Sequence, residues 1–341
     1  MKHMKKIVCA VLALAFAFTL TACSSNNDVE TKPGENSLEK ITVYLDYTPN
    51  TNHTGLFVAL AKGFYKDAML DVEIIQPPEN EDAISACSAG KVQFAVGYQD
   101  LLAAAFASET PMQVTAVAAI LQHNSSCVMT KAGAGMDNPK GLEGNEFLTW
   151  ESPIELAMME NIVNNAGGDW SKVKLIPNTV TDEAQDVFHN PNHAIWVYYG
   201  WGVINANVNN IDVDTFFFKD LNPIFDYYSP VIVGNNDYLS NNPERAKAFL
   251  DATRKGYEYA IENPEESAQI LIDSDETKSL VGSEEMVVES QKWMSEQYIA
   301  DAENWGYIDP ERWNGFYNWL NDENLVSNKL EENTGFTNEY L

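Results

Sequence analysis

The sequence predicts an α/β protein of two lobes joined by two chain crossings, with a helical C-terminal region. Three observations predict it. Short β-type runs alternate with helical patterns from Ile41 to Val233, as in βαβ units of a mixed or parallel sheet. These runs fall into two series, the second beginning near Cys127. The last hundred or so residues carry helical periodicity throughout.

The N-terminus reads differently. Lys2, Lys5 and Lys6 precede an apolar run from Ile7 to Leu20 and the small residues Thr21 and Ala22, which describes a secretory signal (residues 1–22) rather than a membrane span. Leu20-Thr21-Ala22-Cys23 resembles the bacterial lipobox, implying cleavage before Cys23 and diacylglycerol on its thiol. Residues 23–39 are polar, contain Pro33 and Gly34, and read as a flexible tether holding the domain off the membrane.

Ile41, Val43 and Leu45 alternate as a strand. The polar turn Asp46 to Gly55 follows, then an apolar helical pattern from Leu56 to Tyr65. A strand-to-helix turn at the carboxyl edge of an α/β sheet is where such folds bind ligands. Next come a strand from Asp71 to Gln76, a helix from Glu81 to Ala89, a strand from Val92 to Val96, a helix from Gln99 to Ser108 and a strand from Val114 to Leu121. The second series holds strands near Phe147 to Trp150, Lys172 to Pro177, Ala194 to Tyr199 and Phe216 to Phe218. Pro153 opens a helix with Ser152 as its cap. In the helix Pro243 to Glu262, Ala246, Phe249, Leu250, Thr253, Tyr257, Ala260 and Ile261 form one buried stripe. Helices over Met286 to Tyr298 and Arg312 to Leu320 follow, packed together by Trp293, Trp305, Trp313 and Trp319. The crossings are placed near Gln122 to Cys127 and Tyr227 to Val233. Lobe one then comprises 40–125 and 231–341, and lobe two 126–230.

Composition excludes several functions. The formal charge is -29, and removing residues 1–22 deletes three lysines and no acid, which argues against nucleic acid and against docking on anionic lipid. An apolar content of 45% suits a packed core. Cys87 and Cys127 read as buried free thiols. Pro191 between His189 and His193 spoils a helical metal face, so no metal is expected. No heptad pattern stands out, and a monomer is expected.

Leu45-Asp46-Tyr47-Thr48-Pro49-Asn50-Thr51-Asn52-His53-Thr54-Gly55 resembles the N-terminal motif of bacterial pyrimidine-binding proteins, which serve ABC importers of thiamine precursors and share a family with fungal thiamine-pyrimidine synthase. Gly97-Tyr98-Gln99-Asp100, Gln122-His123-Asn124, Trp150-Glu151-Ser152-Pro153, Tyr198-Tyr199-Gly200-Trp201 and Asp226-Tyr227-Tyr228-Ser229-Pro230 extend the resemblance. It implies a type II periplasmic-binding-protein fold, a permease and ATPase as partners, and no cofactor, and it agrees with the lipid-anchored extracytoplasmic location read from the N-terminus. The implied ligand is a pyrimidine such as formylaminopyrimidine or hydroxymethylpyrimidine, stacked on aromatic rings. Riboflavin or thiamine stays open as an alternative cargo. A pyridoxal-phosphate-consuming synthase is the other alternative, but the cysteine-rich segment of the fungal enzymes has no counterpart near Asp226 to Pro230.

Motif by motif, the expected ligand-binding residues are Asp46, Tyr47, Asn50, Asn52, His53, Tyr98, Gln99, Trp150, Glu151, Tyr199, Trp201, Asp226 and Tyr228, with none catalytic. Asp46 and Tyr47 stand where fungal relatives carry Asn and Trp, so Tyr47 offers a smaller stacking face. The chemistry agrees: the arginines Arg245, Arg254 and Arg312 all lie in the C-terminal region, whereas an anionic ligand would favour guanidinium partners in the cleft.

Overall fold

The computed structural model describes residues 38–341. The signal segment 1–22, the lipidation site Cys23 and residues 23–37 of the tether lie outside the described residues. The strands are β1 (Glu39–Tyr44), β2 (Leu70–Ile75), β3 (Phe94–Gly97), β4 (Val114–Ala119), β5 (Ser126–Lys131), β6 (Glu146–Thr149), β7 (Lys174–Pro177), β8 (His193–Tyr198), β9 (Val213–Phe217) and β10 (Val231–Asn235). They form two five-stranded sheets of one layout, ordered β2-β1-β3-β10-β4 and β7-β6-β8-β5-β9.

In each sheet the first three strands run parallel, and one antiparallel strand is inserted beside them. That inserted strand is the one the chain forms on arriving from the other sheet. β4 ends at Ala119 and β5 starts at Ser126; β9 ends at Phe217 and β10 starts at Val231. The first sheet is therefore completed by a strand from the C-terminal half. β3 is buried along its whole length, as a central strand covered on both faces must be. β7 lies at an edge, and its Pro177 has no ladder amide to lose there.

The helix Pro243–Glu262 buries the predicted stripe from Ala246 to Ala260 against the first sheet, but Ile261 at its end is only half-buried. Phe249 stacks on Phe94 at 4.2 Å, with Tyr65 on its other side at 5.5 Å. Gly256 lets this helix cross the helix Thr54–Ala61 closely: a Cβ there would lie 2.0 Å from the Gly55 carbonyl oxygen. Trp305 and Trp313 are fully buried in the C-terminal region, with Trp305 stacked on Tyr257 at 4.4 Å. Cys87 and Cys127 are free and buried.

Some expectations are corrected. Phe218 begins a helical turn instead of ending β9, and Glu39 already pairs in β1. Ser152 precedes the helix Pro153–Asn165, but its hydroxyl caps nothing. Glu155 takes that place: its carboxylate accepts the Trp150 amide at 3.1 Å and the Thr149 hydroxyl at 2.7 Å. After β8 the chain makes a π-helical turn, Tyr199–Val203, where a continued strand would have been read from the aromatic run.

Candidate ligand cleft

A cleft of about 550 Å³ opens where the parallel strands of both sheets end, a size usual for small-molecule sites. Asp46 enters from the turn after β1 and Tyr98 from the end of β3. Trp150 follows β6, Asn178 follows β7, and Tyr198 closes β8 just before Trp201.

The first-lobe wall is built on Asp46. Its Oδ1 lies 2.6 Å from His53 Nε2, and its Oδ2 accepts the Tyr98 hydroxyl. The Asn50 amide donates to His53 Nδ1 at 3.2 Å, so that nitrogen is an acceptor and Nε2 carries the proton given to Asp46. Burial pushes the Asp46 carboxyl up, but the His53 imidazole and the Tyr98 hydroxyl more than offset this and hold it below the usual carboxylate range. The Asn50 side chain accepts the Asn52 amide at 2.9 Å and donates to the Thr48 carbonyl at 3.0 Å, which fixes the turn. Tyr47 stands 67% exposed at the mouth.

The second-lobe wall is aromatic. Trp150 is 55% exposed and tilts against Trp196 at 6.3 Å; Trp196 in turn rests on Phe218 at 3.9 Å. Glu155 and Thr149 pin the loop that presents Trp150, and Glu151 there adopts a left-handed φ of 60°. Tyr198 from this lobe stacks with Tyr98 from the other at 6.1 Å. At the cleft base, the Thr51 and Ser290 hydroxyls are 2.7 Å apart, and Ser290 donates onward to the Gly200 carbonyl.

Of the expected residues, Asp46, Tyr47, Asn50, Asn52, Tyr98, Trp150 and Trp201 line the cleft. The others lie elsewhere. His53 is fully buried behind Asp46. Glu151 is exposed beside the cleft without lining it. Gln99 is buried, donating to the Trp313 carbonyl and accepting the Tyr228 amide, both at 2.9 Å, so it ties the crossing to the C-terminal helix Pro310–Asp322. Tyr199 turns into the π-helical turn and packs on Phe217 at 5.2 Å and Trp293 at 4.9 Å. Asp226 accepts the Asn124 amide at 2.9 Å and faces His123 and Arg312. The Tyr228 hydroxyl accepts the Asp309 amide at 2.8 Å, beside a second cavity of about 380 Å³.

Sequence reasoning missed Trp196, Tyr198, Asn178 and Glu183 as lining residues. Period-two alternation along β8 puts Trp196 and Tyr198 on one face, a signal that was present. Among the described residues, no group of three or more His, Cys, Asp or Glu side chains is placed to hold a metal.

Solved structures share the architecture. The periplasmic aliphatic sulphonate binding protein from Escherichia coli superposes with a TM-score of 0.67 at 11% identity, covering 88% of this chain and 97% of that one. The alkanesulfonate-binding protein from Xanthomonas axonopodis pv. citri gives 0.64 at 7% identity, covering 88% and 99%. At these identities the likeness shows the fold, that of the periplasmic binding proteins. In sequence, a formylaminopyrimidine-binding protein from Halalkalibacterium halodurans is 27% identical over 97% of this chain and 98% of its own length. A 4-amino-5-hydroxymethyl-2-methylpyrimidine phosphate synthase from Saccharomyces cerevisiae is 22% identical over 70% of this chain and 72% of its own. With residues 50–267 matching the family described as NMT1/THI5 like, the chain belongs to that family.

Proposed function

We propose that this protein captures an amino-bearing pyrimidine, a thiamine precursor of the formylaminopyrimidine or hydroxymethylpyrimidine kind, and passes it to the permease of an ABC importer. On this reading it works outside the cytoplasm as a monomer, held to the membrane through lipid on Cys23. Lobe one (40–125 and 231–341) and lobe two (126–230) close on the ligand about the two crossings. The observation that carries the reading is the cleft lining: aromatic rings and two carboxylates, with no Lys, Arg or His among its lining residues. Such a wall suits a flat ring with donor groups and disfavours an anion. The near full-length similarity to a formylaminopyrimidine-binding protein supports the same ligand class.

The synthases in the family support a catalytic alternative. Against it stands the same lining, which offers no lysine to hold pyridoxal phosphate as a Schiff base. Two aromatic stacks at roughly 1–3 kcal/mol each, with charge-assisted hydrogen bonds, reach sub-micromolar affinity after ordering costs. Isothermal calorimetry of protein from Ser24 onward with both pyrimidines tests the proposal. Heat of binding and a raised Tm are expected; silence in both measurements for both ligands removes this ligand class. An absorbance band from a lysine–pyridoxal adduct would instead favour the synthase.

A further inference from the structure

Glu183 is the second carboxylate of the cleft, and its situation is opposite to that of Asp46. Asp46 spends both oxygens on His53 and Tyr98. Glu183 begins the short helix Glu183–His189 of the second lobe, lines the cleft along with Trp150 and Trp196, and has no ion pair or hydrogen bond to another side chain among the described residues. The charged groups on the neighbouring elements are otherwise engaged. Lys131 of β5 donates to the Phe188 carbonyl at 2.9 Å, at the far end of that helix. His193 of β8 is held by Asp186 at 2.7 Å and Glu146 at 3.2 Å. Tyr47, Tyr98 and Tyr198, the other titratable groups of the cleft lining, are acids too, and Asp182 adjoins Glu183 in sequence.

Closing two lobes over an ionised carboxylate with no counter-charge is costly: the charge loses water, and only the amides at the start of its own helix compensate in part. The ligand is therefore the natural source of that counter-charge. Resting on the pyrimidine reading above, we infer that Glu183 is a specificity-determining residue, and that the ring is held as a monocation, protonated on a ring nitrogen, with the Glu183 carboxylate as its counter-ion. The proton comes from solvent, so binding of the neutral ring at a pH above its own pKa takes up one proton. In this pair the carboxylate is the anion, and the proton taken up sits on the ring. The same charge filter excludes anions shaped like the ligand, since no cation of the lining answers them.

The direction of titration fits this picture. Burial, with a smaller contribution from Asp182, pushes the Glu183 carboxyl up against the opposing pull of its own backbone amide. A cation placed beside it reverses that push.

Calorimetry of the purified full chain with hydroxymethylpyrimidine, in buffers of different ionisation enthalpy at one pH above the ring's pKa, reads the proton count directly. An ultraviolet difference spectrum of the bound ring reads where the proton sits. Uptake approaching one proton, with the spectrum of the protonated ring, is expected. Glu183→Gln is expected to abolish both signals and to weaken binding on the order of ten- to a hundredfold, as for loss of a charge-assisted bond. Binding without proton uptake, or uptake with the spectrum of the neutral ring, overturns this inference and leaves the pyrimidine reading intact. A wild-type chain that takes no pyrimidine removes both. Because the spectrum is read on the wild-type chain, a folding defect in the variant does not shield the inference.

Discussion

His123 Nδ1 lies 2.6 Å from Asp226 Oδ2, joining the first crossing between the sheets to the second. His123 Nε2 meets Asp301 at 2.9 Å, so the C-terminal region is drawn into the same node. Arg312 Nε lies 3.6 Å from the Asp226 oxygen that His123 bonds, and the guanidinium also donates to the Gln122 carbonyl. An imidazole with a carboxylate at each nitrogen donates twice and is held in its protonated form.

The hydrogen bond to Asp226, against some burial, raises the His123 pKa above the ordinary value. A raised folded-state pKa gives stabilisation that is complete below the unfolded value, about 6.5, and lost as pH climbs through the folded one. His123→Ala is expected to cost on the order of 1 kcal/mol near pH 6, since the pair is partly solvated. The deficit should shrink at a pH above the folded-state value, where the wild-type ring is neutral. Urea unfolding at the two pH values checks this, and an equal deficit at both would contradict it.

Asp46 works with the opposite sign. Its lowered folded-state pKa gives stabilisation that is present above the unfolded carboxylate value and disappears as pH falls through the folded one. Asp46→Ala strands the His53 Nε2–H and the Tyr98 hydroxyl inside the protein, at an expected cost of about 2–4 kcal/mol at neutral pH. Acidification below about pH 4 should narrow the gap between variant and wild type. Thermal unfolding followed by circular dichroism across that range measures it.

Trp150 should separate binding from stability. The residue is more than half exposed, so Trp150→Ala is expected to shift unfolding by no more than about 0.5 kcal/mol. Loss of the stacking face should weaken pyrimidine binding by roughly 1–3 kcal/mol, about ten- to a hundredfold. Calorimetric titration of the variant beside the wild type decides the matter; unchanged affinity would take Trp150 out of the site.

Two helical glycines should respond oppositely to the same substitution. In Gly256→Ala the new Cβ would press 2.0 Å from the Gly55 carbonyl oxygen, forcing the two helices apart at about 2–3 kcal/mol. Gly315 sits in the helix Pro310–Asp322 with open space around it, so Gly315→Ala should stabilise by up to about 1 kcal/mol. Differential scanning calorimetry should show Tm falling for the first and rising slightly for the second.

The alternation of strands and helices was legible because apolar period two and period 3.6 occur in well-separated segments, from Ile41 onward to the stripe on Pro243–Glu262. The turn after β1 was legible as a cleft edge because its polar side chains outnumber what a plain connection needs. What could not be read is orientation where backbone geometry departs from a template. The aromatic run ending β8 gives no sign that the strand stops at Tyr198 and coils into a π-helical turn, and that change sends Tyr199 against Trp293 instead of into the cleft. Gln99 and Asp226 have polar partners contributed by residues more than a hundred positions away, in Trp313 and His123, which no local pattern announces. Glu183 was hidden for a simpler reason: a glutamate at the start of a helix satisfies ordinary helix chemistry and draws no attention to itself.

The interior position of β10 also governs when this protein can become itself. Until residue 231 has left the ribosome, β3 and β4 have no strand to pair with between them, and the first sheet stays split into two open-edged pieces. A nascent chain of this topology stays unfinished until β10 has emerged. Any fragment released before that point would carry two sticky borders and a strong tendency to associate with its own kind.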